Sequence, residues 1–506
     1  MPDRACLSAN DSADLLGRHR PTEDQRAIIE APLTSMLVIA GAGSGKTETM
    51  SARVVWLIAN NMVAPSEVLG LTFTRKAAGE LSERVRDRLA ALARAQAGDR
   101  TDAGVLGALD RPTISTYNSY AAALVSDHGL RIGREPGARM LSEASAWAMV
   151  SQIVERWGQD IDTDAALSSV TEAVLKLTGA LNEHLLTVEE AKAGFLTLLE
   201  PLEDLAVSKR TPNAEVQRLG RSLSTRYQIL DLVAEYQLVK KNEQAMDFGD
   251  QVALAAQLAL EAPAVGELER ERFKVVLLDE YQDTSYAQIK LLTALFGAGH
   301  PVTAVGDPNQ SIYGWRGASA SGPARFPSQF RNADGSRAKV FQLATSWRND
   351  LAILDAANFT ARPLYDNDPA NSLPALGARP GAGVGAVSAG YFETASDESE
   401  HIVAYLQANW RPGQSTAAIL CRARSQFPVI EAALRVAGIP VEVVGLGGVL
   451  MTPEVVDLVA LLEVIYDPAR GDSLMRLLTG PRFNFRASDL AALAACMLRV
   501  QGVPTK

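Results

Sequence analysis

The feature that most constrains this chain is the stretch Met36-Leu-Val-Ile-Ala-Gly-Ala-Gly-Ser-Gly-Lys-Thr47. The apolar run Met36 to Ala40 reads as a buried strand, and the segment from Thr47 to about Asn60 reads as a helix. A glycine-rich turn joins them. Gly41, Gly43 and Gly45 let the backbone curl through positive φ and bring its N–H groups against phosphate oxygens. The helix start adds the positive end of its dipole. On this reading Ala40, Gly41, Ala42, Gly43, Ser44 and Gly45 cradle a triphosphate. Lys46 neutralises the β- and γ-phosphates, and the Thr47 hydroxyl holds Mg²⁺. The strict pattern opens with Gly, and here that slot is Ala40. The plain alternative is a glycine-rich turn that Lys-Thr follows by chance.

Length allows about three domains at ~150 residues each. The chain is 47% hydrophobic and 21% charged, an ordinary globular balance. Cys6, Cys421 and Cys496 are scattered without paired spacing, which argues against a disulfide framework or a zinc site and fits a reducing cytoplasm. Residues 1–20 carry no apolar signal core and read as a poorly ordered lead-in. No apolar run approaches the ~20 residues that span a bilayer. The net charge is −10, so bulk charge does not draw the chain to nucleic acid. Any such contact must come from a local groove.

Other stretches carry chemistry at strand ends. Pro21-Thr-Glu-Asp-Gln25 precedes a helical pattern; the Gln25 amide can pair with the donor and acceptor of an adenine edge, or be a surface Gln. Val68 to Phe73 is a second strand, ending in Thr72-Phe-Thr-Arg-Lys76 before a charged helix that runs to about Arg94. Open α/β sheets bind ligands at such ends. Phe73 can stack a base there beside Thr74, Arg75 and Lys76, or be plain core. Residues 95–112 read as a loop, and Thr113-Ile-Ser-Thr-Tyr-Asn118 as a short β-like segment. Residues 131–245 are helical in pattern and read as an inserted α-domain, with Trp147, Val150, Ile153 and Val154 on a core face.

Phe273 to Leu278 is another buried strand. It ends in Asp279-Glu280-Tyr-Gln-Asp283. Asp279 suits a metal held through water, and Glu280 suits orienting and deprotonating the attacking water. A solvated acidic cap is the alternative. The strand Val302 to Gly306 runs into Asp307-Pro-Asn-Gln-Ser-Ile-Tyr-Gly-Trp-Arg316. Gln310 there is a candidate γ-phosphate sensor, and Tyr313 and Trp315 can form a stacking platform. Leu343-Ala-Thr-Ser-Trp-Arg-Asn349 opens a second region, in which Arg348 can stabilise transition-state charge. Strands near Ser388–Tyr391, Ala417–Cys421 and Val441–Val444 alternate with helices 396–408 and 426–437, the pattern of a second α/β domain. Residues 467–506 read as helical.

Together these motifs resemble the UvrD/Rep/PcrA branch of superfamily 1 DNA helicases, closely over about residues 20–350 and more loosely over 388–490. The wording Leu69-Gly-Leu-Thr-Phe-Thr-Arg-Lys-Ala-Ala78 is similar to the actinobacterial helicase–nuclease subunit family AdnB. The resemblance implies an α/β fold: a RecA-like P-loop motor lobe (21–130 and 246–342) with an inserted helical domain (131–245). A partial second RecA-like lobe (343–466) and the start of a second helical insertion (467–506) follow. It implies ATP and Mg²⁺ as cofactors, single-stranded DNA as partner, and 3′→5′ motion in repair or recombination. Gln25 and Trp347 fall on the adenine contacts, Glu280, Gln310 and Arg348 on the catalytic set, and Thr47 and Asp279 on the metal. Phe73, Tyr313 and Trp315 fall on base-stacking residues, with Thr74 and Arg75 beside them. Ser115, Thr116 and Asn118 fall on a backbone-contacting motif.

The sequence departs from the pattern in places. Tyr117-Asn118 replaces the usual Phe-His, and Arg75 a common Asn. A Gly-Leu-Glu motif, an Arg-rich motif and a nuclease domain do not appear before Lys506. The expectation is a truncated form with impaired hydrolysis or a chain completed by a partner helicase–nuclease subunit. The alternative reading is a non-catalytic ATP- and DNA-binding subunit.

Overall fold

The computed structural model describes residues 6–97, 111–135, 137–207, 214–314, 317–318, 322–367, 374–444, 452–468 and 470–500. Two compact units divide the chain, Met1–Val387 and Ser388–Lys506.

Unit one is built on a six-stranded sheet. Its strands are β1 (Met36–Ala40), β2 (Val68–Thr72), β3 (Thr113–Thr116), β4 (Val275–Leu278), β5 (Val302–Gly306) and β6 (Lys339–Leu343). Every pairing is parallel, in the order β6-β1-β5-β4-β2-β3. Parallel sheets need both faces covered, and these strands sort their side chains with period two. Leu37, Ile39, Leu69, Leu71, Val276 and Leu278 enter one core, whereas Met36, Val38, Ala40, Val68, Val275 and Leu277 enter the other. All strands run the same way, so their C-terminal ends share one edge. Gly41–Gly45, Phe73–Arg75, Tyr117–Asn118, Asp279–Glu280 and Asp307–Gln310 all leave from it.

The helices that matter here are α1 (Glu23–Ile29), α2 (Lys46–Ala59), α3 (Arg75–Ala97), α4 (Tyr117–His128), α5 (Phe248–Glu261) and α6 (Tyr286–Phe296). The expected β-like segment is thus shorter than its motif: Tyr117 and Asn118 open α4, because the Thr116 side chain caps that helix. The expected poorly ordered lead-in carries regular structure within its described residues. A helix spans Ala9–Leu15 with a Ser8 capping box, and Trp56 Nε1 donates to Leu7 O at 2.6 Å. Leu343, expected to open a second region, is the last residue of the edge strand β6.

Between β3 and β4 the chain forms helices Glu143–Glu155, Leu167–His184, Val188–Val207 and Ala214–Asn242, with a core of their own around Val150, Val174, Leu230 and Tyr236. Trp147 does not join that core and is 37% exposed. The buried stripe runs through Ala146, Val150 and Val154, which places residue 147 at its margin.

Unit two contains helices Ala395–Asn409, Phe427–Val436, Pro453–Tyr466, Gly471–Thr479 and Ala487–Val500. The strands expected at 388–391, 417–421 and 441–444 carry no ladder among the described residues. The segments 417–421 and 441–444 line a groove of about 590 Å³ with Leu406, Trp410, Phe427 and Leu434.

Candidate functional site

The glycine loop is closed by its own atoms and by the segment after β6. The Ser44 hydroxyl donates to Gly41 O at 2.8 Å, and Gly43 and Gly45 take φ of 74° and 82°. Trp347 N–H donates to Gly43 O at 2.8 Å. A Cβ on Gly43 would lie 2.8 Å from both Arg348 Cβ and Ser346 Oγ. Glycine is therefore demanded there twice, by conformation and by space. Ala40 needs neither: it ends β1 in register with Leu343 and is buried. The Ala-for-Gly departure thus falls on a strand residue.

Lys46 and Thr47 form the first turn of α2. Lys46 Nζ lies 3.4 Å from Glu280 Oε2, across the width of β5. Glu280 has φ of 49°, a strained left-handed backbone without glycine, which turns its carboxylate back toward the loop. Asp279 is buried. Thr72 Oγ1 donates to its Oδ2 at 3.5 Å, and its Oδ1 has no partner among the described residues. Burial, and then the neighbouring Glu280 charge, push the Asp279 carboxyl from 3.8 up to about 6, against the pull of Lys46, the Glu280 N–H and Thr72. Burial and Glu280 likewise raise Asp283 to about 6. This is a carboxylate pair short of positive charge. One carboxylate with a helix-end hydroxyl suits Mg²⁺, which takes few protein ligands and keeps water and phosphate oxygens. No group of three or more His, Cys, Asp or Glu with metal-holding geometry occurs among the described residues.

Gln25 sits beside the loop but is engaged. Its Oε1 accepts from Thr22 N–H at 3.1 Å in a capping box, and its Nε2 donates to Ser44 O at 3.4 Å. Arg53, wholly buried, ties α1 to α2 by donating to the carbonyls of Ile28, Ile29, Ala31 and Pro32. Burial lowers its pKa to about 10. Gln310 is also engaged, its amide donating to Asp307 Oδ2. Trp347 and Arg348 are exposed at the loop's other flank.

On the same sheet edge an open groove of about 480 Å³ is lined by Phe73, Arg75, Thr116, Asn118 and Tyr313. Phe73 is half-buried, and its ring stacks on Tyr313 with centroids 4.8 Å apart. The plain-core reading of Phe73 is thereby excluded. Asn118 Oδ1 accepts from Gln288 Nε2 at 3.0 Å. Thr74 and Ser115 are not in the lining. Thr74 Oγ1 instead accepts from Ala77 N–H at 3.1 Å, and Ser115 Oγ donates to Thr116 O at 3.4 Å. Trp315 lies outside the described residues.

Sequence reasoning missed Phe248, Gln251 and Gln288, which also line this groove. Phe248 is 53% exposed at the first position of α5. Its signal was available: an aromatic directly after the N-cap Asp247 starts a helix on its solvent side, where core packing does not explain it.

The UvrD/REP helicase N-terminal domain matches residues 21–331, and the UvrD-like helicase C-terminal domain matches 341–502. The chain is 29% identical over 483 residues to the ATP-dependent DNA helicase UvrD1 of Mycobacterium leprae, covering 92% of this chain and 55% of that protein. It is 27% identical over 470 residues to the ATP-dependent DNA helicase PcrA of Staphylococcus aureus, covering 92% and 56%. Against PcrA of Bacillus subtilis it is 27% identical over 469 residues, covering 91% and 55%. The chain spans about half the length of these curated relatives. No helix among the described residues is long and apolar enough to cross a membrane. With both family domains matched over most of its length, the chain belongs to the UvrD/REP helicase family.

Proposed function

We propose that this chain is an ATP-hydrolysing motor of a 3′→5′ DNA helicase or translocase that acts on single-stranded DNA in repair or recombination. One observation carries the reading. A phosphate-cradling loop with Lys46 against Glu280 shares a sheet edge with the Phe73–Tyr313 stack.

The roles follow from the groups. The loop N–H groups, the α2 dipole and Lys46 hold the β- and γ-phosphates. Thr47 and Asp279 would hold Mg²⁺, which would supply positive charge against the β- and γ-phosphates. Glu280 orients the attacking water and takes its proton. Gln310 leaves Asp307 for the γ-phosphate, and Arg348 stabilises the charge that develops as the bond breaks. The Gln25 amide and the Trp347 ring flank the adenine. Phe73, Tyr313 and Trp315 stack unpaired bases, while Arg75, Thr116 and Asn118, which line the groove, serve the phosphate backbone. Phe248 joins the stacking set. The relatives above are helicases by name, and the resemblance to a nuclease-subunit family is carried no further.

Steady-state ATP hydrolysis, measured with and without an oligothymidine strand, tests the reading. Expected is DNA-stimulated turnover that Lys46→Met abolishes. Strand displacement from substrates tailed at one end or the other reads the polarity. ATP and DNA binding with no turnover under either condition would replace the motor by a binding subunit.

A further inference from the structure

The acidic turn after β4 holds a buried amide, that of Gln282. Gln282 is 1% exposed. Its Nε2 donates to Glu280 Oε2 at 2.8 Å and, more weakly, to Asp283 Oδ2 at 3.4 Å. Its Oε1 accepts the Asp307 backbone N–H at 3.0 Å. Ser311 Oγ donates to its main-chain oxygen at 3.2 Å. One buried amide therefore spans two strand ends. It joins the carboxylate after β4 to the segment after β5, which carries Gln310 and then Tyr313.

The chemistry of its partners sets the orientation of this amide. A backbone N–H can only donate, and an ionised carboxylate can only accept. Flipping the amide would oppose two donors at one end and two acceptors at the other. A second observation is independent of these bonds. β5 ends in Gly306, where a Cβ would lie 2.6 Å from Gln282 Oε1 and 3.2 Å from Gln282 N. The φ of Gly306 is not positive, so glycine is required there for space rather than for backbone conformation. The strand end is hollowed to admit the Gln282 amide. Lys46 Nζ and Gln282 Nε2 converge on the same Glu280 oxygen, Oε2. Phosphates draw Lys46 toward themselves; the Gln282 amide, locked against Asp307 and Gly306, stays. With Oε2 held in this way and the Glu280 side chain 36% exposed, the other oxygen is the one left for an attacking water.

We infer that Gln282 is a positioning residue for hydrolysis: its amide fixes the Glu280 carboxylate for water activation and ties it to the Asp307–Tyr313 segment beside the DNA groove. This rests on the reading of Glu280 as the group that activates water. A plain filler of the strand end would need the volume of Gln282 but not its donor.

Two variants of the full chain separate these roles. Gln282→Glu keeps the size and the oxygen that accepts from Asp307, and loses the donor to Glu280. Gln282→Met loses both. ATP turnover is followed with a saturating oligothymidine strand, by single-turnover hydrolysis where release is slow. For Gln282→Glu, kcat is expected to fall about 10- to 100-fold, the effect of a hydrogen bond to a charged group. KM for ATP stays within about threefold, because no phosphate contact is touched.

Near-normal kcat, or a loss carried by KM with kcat unchanged, overturns the inference. So does a fall in kcat that tracks a fall in melting temperature in both variants. Glu280→Gln is measured beside them. If it abolishes hydrolysis while Gln282→Glu turns over normally, the positioning role alone is lost. If Glu280→Gln turns over normally, or the unaltered chain hydrolyses nothing in a single turnover, the reading of Glu280 and the inference fall together.

Discussion

Two short apolar runs in this chain read alike and fold differently. Met36-Leu-Val-Ile-Ala40 is buried along its whole length, with β5 on one side and β6 on the other. Ala417-Ala-Ile-Leu-Cys421 joins no ladder among the described residues, and Leu420 is 94% exposed. Composition does not separate them. Neighbours do: a central strand owes its stability to backbone partners on both edges and to helices on both faces. The same contrast holds for function. Unit one's paired strands present their C-terminal ends on one edge and bring distant acids, a lysine and aromatics together there. Unit two's unladdered segments fix no such edge among the described residues.

The comparison breaks most readily by amide hydrogen exchange. Val38 and Ile39 are expected to exchange only through global unfolding, on the order of 5–15 kcal/mol. Ile419 and Leu420 are expected to exchange nearly as a free chain does. Equal protection in the two runs would erase the distinction.

A smaller effect tests the strand-end charge that only a paired sheet can bury. A carboxyl whose pKa is raised by folding disfavours the folded state above that pKa. For Asp279 the penalty is absent below pH 3.8, builds as pH rises, and is complete above about 6. Asp279→Asn should therefore stabilise the nucleotide-free protein above pH 6 by on the order of 3 kcal/mol. The gain disappears below pH 3.8, and hydrolysis is impaired throughout. Denaturant melts across that pH range read it; a gain independent of pH would show that burial of the charge is not its source.

Next come the rings on the same edge. Phe73→Ala and Phe248→Ala should each weaken oligothymidine binding by about 1–3 kcal/mol, as loss of one stacked base does. Fluorescence anisotropy reads this, with ATP affinity as the control; a ring whose loss leaves affinity unchanged does not belong to the groove.

The smallest effect sharpens the link between the two sites. Tyr117 OH donates to Asp279 O at 2.8 Å, a bond that the usual Phe cannot make. Tyr117→Phe should lose about 1 kcal/mol of stability, since a buried carbonyl is left without its donor. Thermal melts of the two proteins check it, and an unchanged midpoint would mean that the carbonyl finds another donor.

The strand, glycine loop and helix around Lys46 were legible because each rests on residues next to one another in the chain. Periodicity also marked β2, β4 and β5 and the helical insertion. It failed at Ala417–Cys421 because an apolar run reports what a segment can bury, not whether a partner arrives. It left Gln282 and Phe248 unassigned because neither side chain's role is a property of its own segment.

By itself, then, the sequence determined the local chemistry: where positive φ is available, where an acid pair ends a strand, where an aromatic follows a turn. Tertiary structure alone decided the strand order that carries Lys46 past β5 to Glu280, the left-handed Glu280 backbone, the hollow at Gly306, and which apolar runs become a sheet. The reason is physical. Conformational preference acts over a few residues, whereas strand pairing and burial are settled by groups hundreds of residues apart that meet only when the chain has folded.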